Sequence, residues 1–192
     1  MKKRILFIAV VITGFIFSGC GYNNMVTMDE SVKSAWSQVE NMYQRRSDLI
    51  PNLVETVKGY ATHEQETFTK VVEARAQATA TKIDPANLTP EAIQQFQNAQ
   101  GSLTSALSRL MVVVEQYPDL KANQNFMDLQ AQLESSENRI AIARMKFNET
   151  TQSYNAYIRR FPQLITAAIF GFKKKVYFEA QAGTEQAPQV KF

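Results

Sequence analysis

Apolar residues recur at intervals of three and four along almost the whole chain beyond its first twenty residues. Val32, Ala35, Trp36, Val39, Met42 and Tyr43 open the pattern, and Leu53, Val54, Val57, Tyr60 and Ala61 continue it. Phe68, Val71, Val72 and Ala76 extend it, and Phe96, Leu103, Leu107, Leu110, Val113 and Val114 repeat it. Such spacing lines one face of a helix and excludes the period of two that a half-buried strand needs. Phe126, Leu129, Leu133, Ile140, Phe147 and Tyr154 keep a near-heptad interval, which suits helices crossing at a shallow angle. With 7 glycines and 6 prolines in 192 residues, a turn-rich β fold has little to work with. The expectation is an all-α protein: an antiparallel bundle of about four long helices in one domain, on an N-terminal membrane tether.

Local signals punctuate this pattern. Thr27-Met28-Asp29-Glu30 reads as a capping box that starts the first helix. Asp48 reads as a cap for a second start at Leu49, because Pro51 is tolerated in a first turn. Gly59 reads as a bend, and the stretch to Thr81 as one long element. Asp84-Pro85 lies in a loop, and Thr89-Pro90-Glu91 combines a cap, an N1 proline and an acid near the helix dipole. Pro118 stops that helix. A further helix is expected from Asn123 or Gln124 to about Arg160, roughly 50 Å at 1.5 Å per residue. Phe161-Pro162 ends it, and Leu164 to Phe172 can form a short apolar helix. The expected segments are a signal or anchor over 1–19, a tether over 20–26, the bundle over 27–180, and a tail over 181–192.

The first twenty residues have another character. Lys2, Lys3 and Arg4 precede the apolar run Ile5 to Phe17, and Ser18-Gly19 leads to Cys20, the only cysteine. A positive head, an apolar stretch and small residues form an export signal. The run falls short of the approximately 20 apolar residues of a spanning helix. Phe17-Ser18-Gly19-Cys20 resembles a bacterial lipobox, although Phe17 stands where leucine is usual, and it makes Cys20 the candidate lipidation site. The alternative is a spare thiol in an uncleaved signal anchor. Both tether the body to a membrane, with the bundle outside the cytoplasm in a bacterial cell envelope. Without Lys2, Lys3 and Arg4, the 21 basic residues become 18, equal to the 18 acidic ones. The positive charge therefore belongs to the signal, and no concentrated basic face points to nucleic acid.

The densest polar motif is Arg45-Arg46-Ser47-Asp48-Leu49-Ile50-Pro51-Asn52. Arg45 and Arg46 are candidate partner-binding residues; equally, Asp48 can cap and an arginine can brace the corner. Asp48, Asn52, Glu73, Arg75, Glu115, Glu137, Arg139, Asn148 and Asn155 form a candidate structural polar network. Asn148 and Asn155 stand seven apart and so share a helix face, as a seam fixing register or as a ligand site. Lys173, Lys174 and Lys175, beside Phe170, Phe172, Tyr177 and Phe178, are candidate membrane contacts; a solvated turn is the alternative. No metal and no cofactor are expected. His63 is the sole histidine, and His63-Glu64 lacks the second histidine of a zinc protease helix. No Gly-rich loop, Gly-x-Ser-x-Gly turn or reactive cysteine accompanies it, so His63 reads as a surface residue and the chain as no enzyme.

On these residues the chain resembles the LemA family. The match rests on Tyr22-Asn23, Trp36 through Glu40, Arg45 through Val54 and Glu73-Ala74-Arg75. It continues through Tyr117 to Asn123, Glu137-Asn138-Arg139, Tyr154-Asn155 and Phe161-Pro162. The resemblance implies a helical bundle on an N-terminal membrane anchor, outside the cytoplasm, with no established enzymatic activity. Family genes often lie beside those for membrane zinc metalloproteases, which makes such a protease a candidate partner. The leading functional expectation is a scaffold or adaptor for envelope proteins. A small-ligand or lipid-binding bundle is the alternative, and a hydrolase using His63 with Glu73, Glu115 and Glu137 is a remote third.

Overall fold

The computed structural model describes the backbone of residues 2–179 and the side chains of residues 21–179. The Cys20 thiol and the tail over 181–192 lie outside the described residues. The helices are α1 (Lys2–Lys58), α2 (Gln65–Ala80), α3 (Pro90–Val114), α4 (Pro118–Lys121), α5 (Gln124–Ile158) and α6 (Gln163–Phe170). No strand occurs among the described residues.

Side-chain partners give the topology. Arg75 of α2 reaches Ser47 of α1, and Gln100 of α3 reaches Ala78 of α2. Trp36 and Arg46 of α1 meet Phe96 and Thr104 of α3, so those two helices run parallel. Asn24 and Arg46 meet Tyr157 and Glu137, so α5 returns antiparallel to α1. The result is an up-down-up-down bundle of four long helices with α6 appended at one end, as the periodicity predicts.

Several local signals resolve differently from expectation. Tyr22 to Val26, expected as a tether, continues α1, and Met25 is fully buried in the core. Thr27 does not cap: it sits inside α1 and its Oγ1 donates to the Asn23 carbonyl at 3.0 Å. Asp48 does not cap either; it is exposed, accepts from Gln44 at 2.7 Å, and α1 runs on through Pro51. Conversely, Gly59 marks a full break. The chain turns over Gly59 to Glu64, tied by Tyr60 and Ala61 amides to the Val57 carbonyl, and α2 folds back on α1. The other starts behave as read. Thr89 accepts from the Ala92 amide at 3.2 Å with Pro90 at N1, and Asn123 accepts from the Phe126 amide at 3.1 Å.

The core has two parts. Nearest α6, Met25, Val32, Trp36, Val39, Tyr43, Phe96, Phe147 and Tyr154 pack together. At the far end, Ile50, Leu53, Val57, Phe68, Leu103, Leu110, Leu120 and Phe126 form the second part. Trp36 is the hub of the first. Its ring stacks on Phe178 at 5.4 Å and meets Phe96 and Phe147 edge-on.

Phe178 belongs to an extended strap, residues 172–179, that lies on α5. Asn155 accepts from the Lys175 amide at 2.8 Å and donates to its carbonyl at 2.9 Å. Asn148 treats Phe178 identically, at 2.9 and 3.0 Å. Each carboxamide thus does what a neighbouring strand would do. The register is geometric: seven residues of helix rise about 10.5 Å, and three residues of extended chain span about 10 Å. Asn148 and Asn155 therefore fix the strap to α5, correcting both the helix-to-helix seam and the ligand site. Tyr154 adds a bond to the Lys173 carbonyl at 3.0 Å; burial, aided by the charge of Asp29, pushes its hydroxyl up to about 12, so it stays a donor. Asn155→Ala should remove both bonds at once and destabilise the fold by about 2 kcal/mol, with Trp36 fluorescence in urea unfolding as the readout.

Lys175 anchors the strap to α1 through Asp29 at 2.9 Å, and Asp29 also pairs with Lys33 at 2.9 Å. Burial works against the Asp29 carboxylate, but the hydrogen bonds and charges of Lys33 and Lys175 outweigh it and hold its pKa below the ordinary 3.8. A carboxyl with a depressed folded pKa contributes stability above its unfolded value and loses it as pH falls through the folded one. Acid titration below about pH 4 should therefore weaken the strap's attachment to α1. Asp29→Asn should remove that part of the acid dependence, as followed by Trp36 emission against pH.

Candidate functional site

Between the two apolar parts lies a polar layer to which all four long helices contribute. Arg46 of α1 is its centre, at 2% exposure among the most buried large side chains. Its Nη1 donates to Glu137 Oε1 of α5 at 2.7 Å and to Thr104 Oγ1 of α3 at 3.3 Å, and its Nη2 donates to Gln100 Oε1 at 2.6 Å. The guanidinium also lies over the Tyr43 ring at 5.1 Å. Gln100 passes the chain of bonds to the Ala78 carbonyl of α2 at 3.3 Å. A buried guanidinium requires such partners, since an unpaired buried charge is strongly destabilising. Nε of Arg46 is buried without a partner.

Arg75 completes the layer from α2. Its Nε donates to the Ser47 carbonyl at 2.8 Å. That carbonyl would normally accept from the amide four residues on, and that residue is Pro51, which has no N–H. The arginine thus supplies the donor that proline withholds, at a residue that is almost fully buried.

The layer opens to solvent as a cleft of about 510 Å³ lined by Tyr43, Arg46, Gln97, Gln100, Glu137 and Arg144, among others. Gln97 and Arg144 both donate to the Glu179 carbonyl, at 3.0 and 3.3 Å, so the strap reaches the cleft mouth. Burial raises the Tyr43 hydroxyl pKa despite the nearby charges of Arg144 and Arg46, so Tyr43 remains protonated at neutral pH. Glu137 is occupied by Arg46, and no imidazole stands by the hydroxyls of Thr104 and Ser105. The cleft offers the remaining N–H groups of Arg144 to an anion or carbonyl, and among the described residues it assembles no nucleophile–base pair.

A second depression, about 820 Å³, follows the α1–α5 seam. Met42, Ile142 and Met145 supply its apolar floor, and Glu134, Arg139 and Lys146 flank it. Ile142 and Met145 are large apolar side chains left exposed.

The predicted site residues therefore separate. Arg46, Arg75 and Glu137 share the polar layer, together with Gln100 and Thr104, which the sequence reading did not single out. Arg46, expected to face a partner, is instead buried with its Nη donors spent on Glu137, Thr104 and Gln100, whereas Arg45 is exposed. Asp48, Asn52 and Glu73, expected in the network, are exposed and stand outside the layer, and α1 continues past the junction that Asp48 was expected to cap. Glu115 pairs with Lys121 at 2.6 Å at the far end. Arg139 flanks the second groove. Lys173 and Lys174 are exposed, but Lys175 is held by Asp29, which removes it from the candidate membrane contacts. His63 lies exposed in the turn between α1 and α2. Among the described residues, no three of His, Cys, Asp and Glu are grouped to hold a metal ion.

The Pro51–Arg75 exchange yields a double-substitution test. Arg75→Met should orphan the Ser47 carbonyl and cost about 1–3 kcal/mol. In a Pro51→Ala background the helical bond returns, and the same change should cost little. Denaturant unfolding of the four proteins measures the coupling.

The strap, the polar layer and the core from Ala35 onward fall inside a stretch that matches known proteins. Magnetosome protein MamQ 2 of Paramagnetospirillum magneticum (strain AMB-1) is 31% identical over 175 residues, covering 82% of this chain and 64% of that protein. Magnetosome protein MamQ of Magnetospirillum gryphiswaldense (strain MSR-1) is 32% identical over 180 residues, covering 84% of this chain and 66% of that one. The chain thus spans slightly less than two thirds of the length of these MamQ relatives. Protein LemA of Metamycoplasma hominis is 25% identical over 158 residues, with 82% of this chain and 68% of that protein covered. The profile of the LemA family matches residues 35–192, from the helix turn that carries Trp36 onward, and the chain belongs to the LemA family.

Proposed function

We propose that this protein is a membrane-tethered, non-enzymatic bundle of the bacterial cell envelope that serves as an adaptor for other envelope proteins. The observation that carries the reading is the exposed groove along α1 and α5. Its floor of Met42, Ile142 and Met145 between charged flanks suits an amphipathic helix of a partner, because unbranched methionines adapt their shape to what they meet. Arg45, exposed on the same α1, offers a charge for an acidic group. The polar residues best suited to chemistry are by contrast committed to structure: Arg46, Glu137 and Arg75 hold the bundle together, and Asn148 and Asn155 hold the strap.

The tether rests on the apolar run Ile5 to Phe17 and on Cys20, the candidate lipid site. No helix is long and apolar enough to cross a membrane among the described residues. A membrane metalloprotease is the partner to test first, on the family association. The alternative of ligand binding has support in the 510 Å³ cleft, where the remaining N–H groups of Arg144 could receive a carboxylate.

In-cell photo-crosslinking from Gln38, Asn138 and Arg45, followed by mass spectrometry, tests the adaptor. The control is an unrelated helical protein carrying the same first twenty residues. One dominant envelope protein should be captured, and Ile142→Glu with Met145→Glu should abolish its capture. Capture equal to the control would sink the adaptor and leave the cleft as the site to pursue.

A further inference from the structure

We infer that α6 is a second membrane contact, lying in the interface of an anionic bilayer beside the tether. The inference rests on the tethered reading above. A helix on a protein surface normally turns its large apolar residues inward. In α6 the arrangement is inverted: Ala167 is buried, whereas Leu164, Ile165, Ile169 and Phe170 are exposed, Ile169 at 71%. Phe161, just before the helix, is 81% exposed. Contiguous apolar surface of this kind marks a site that meets something other than water.

Position and charge identify the occupant. Tyr22 packs on Phe170 at 4.8 Å and on Phe172 at 5.8 Å. Phe17, the last residue of the apolar N-terminal run, lies only five residues earlier on the same helix, about 7 Å along its axis. The exposed face of α6 is therefore carried at the end of the bundle from which the membrane segment departs. From Arg159 to Lys175 the chain has five cations and no acid. Arg159 and Arg160 precede α6 and Lys173 and Lys174 follow it, all four exposed. Gly171, at φ 76°, turns the chain sharply after Phe170, so that the apolar helix forms a tip between two basic pairs. An apolar tip with a cationic rim matches the headgroup boundary of an anionic membrane, where apolar side chains enter and lysines and arginines meet phosphate. A second copy of the chain would have to place two such cationic rims together.

The test uses the full chain in vesicles of phosphatidylcholine with and without phosphatidylglycerol, containing lipids brominated at defined depths. Ile169→Trp introduces a reporter on α6, with Leu164→Trp as an independent second position. Val112→Trp, on an exposed site at the far end of the bundle, is the control. Trp36 is buried and its signal is subtracted using the unsubstituted chain. On α6 the introduced indole should shift to the blue and lose emission, most with shallow bromines. The loss should deepen with phosphatidylglycerol and shrink when Lys173 and Lys174 become glutamine. The control should show neither change. If the protein floats with the vesicles but the α6 indoles are quenched no more than the control, the α6 contact is overturned and the tether stands. A blue shift without quenching, together with crosslinked dimers, would assign the face to a second copy and also overturn it. Failure to float at all would remove the tether and α6 contact together.

Discussion

The bundle is organised around one buried guanidinium. Arg46 sits where four helices come together, and three of its bonds reach two of them. Removing an arginine from water is expensive, and the attraction to Glu137 offsets that cost only in a particular geometry. An apolar layer would tolerate small slips of one helix past another; this layer does not, because a slip of one turn would leave the cation facing apolar side chains. The split of the core into two apolar parts on either side follows from the same residue. Buried charge of this kind adds little net stability but selects one alignment, as a single polar residue does in a coiled coil.

A second theme is the use of side chains in place of backbone. Arg75 stands in for the missing Pro51 amide, and Asn148 and Asn155 stand in for an edge strand. Each solves an accounting problem for buried polar groups. The proline removes a donor in the interior of a helix, and the strap brings amides and carbonyls onto a helical surface that has none of its own to offer. In both cases the solution comes from a residue distant in sequence, which ties local irregularity to tertiary order.

That distance explains what could be read from the chain in advance. Thr89 and Asn123 act on amides three residues away, so their helix starts were legible, as was the period that gives the helices their inner faces. Asp48 looked like a cap because Pro51 looked like a start. Only Arg75, 28 residues beyond the Ser47 carbonyl that it satisfies, lets the helix pass through. Gly59 was recognisable as a weak point, but whether it bends or breaks depends on the surface that α2 finds on α1. The seven-residue interval of Asn148 and Asn155 was visible, and their shared face with it. Their partner was not, since nothing in an extended segment of Lys175 to Phe178 announces that its backbone will be read by a helix. Arg46 and Glu137 stand 91 residues apart, and no local pattern distinguishes the buried arginine from its exposed neighbour Arg45.

The continuity of α1 has a mechanical consequence. The helix enters the core at Met25 and keeps contributing to it as far as Val57, with no flexible joint after the N-terminal apolar run. From Phe17 to Lys58 it measures about 60 Å. Any tilt imposed on the rod's first turns therefore moves the far end of the bundle by a lever arm several times longer than the element that was tilted.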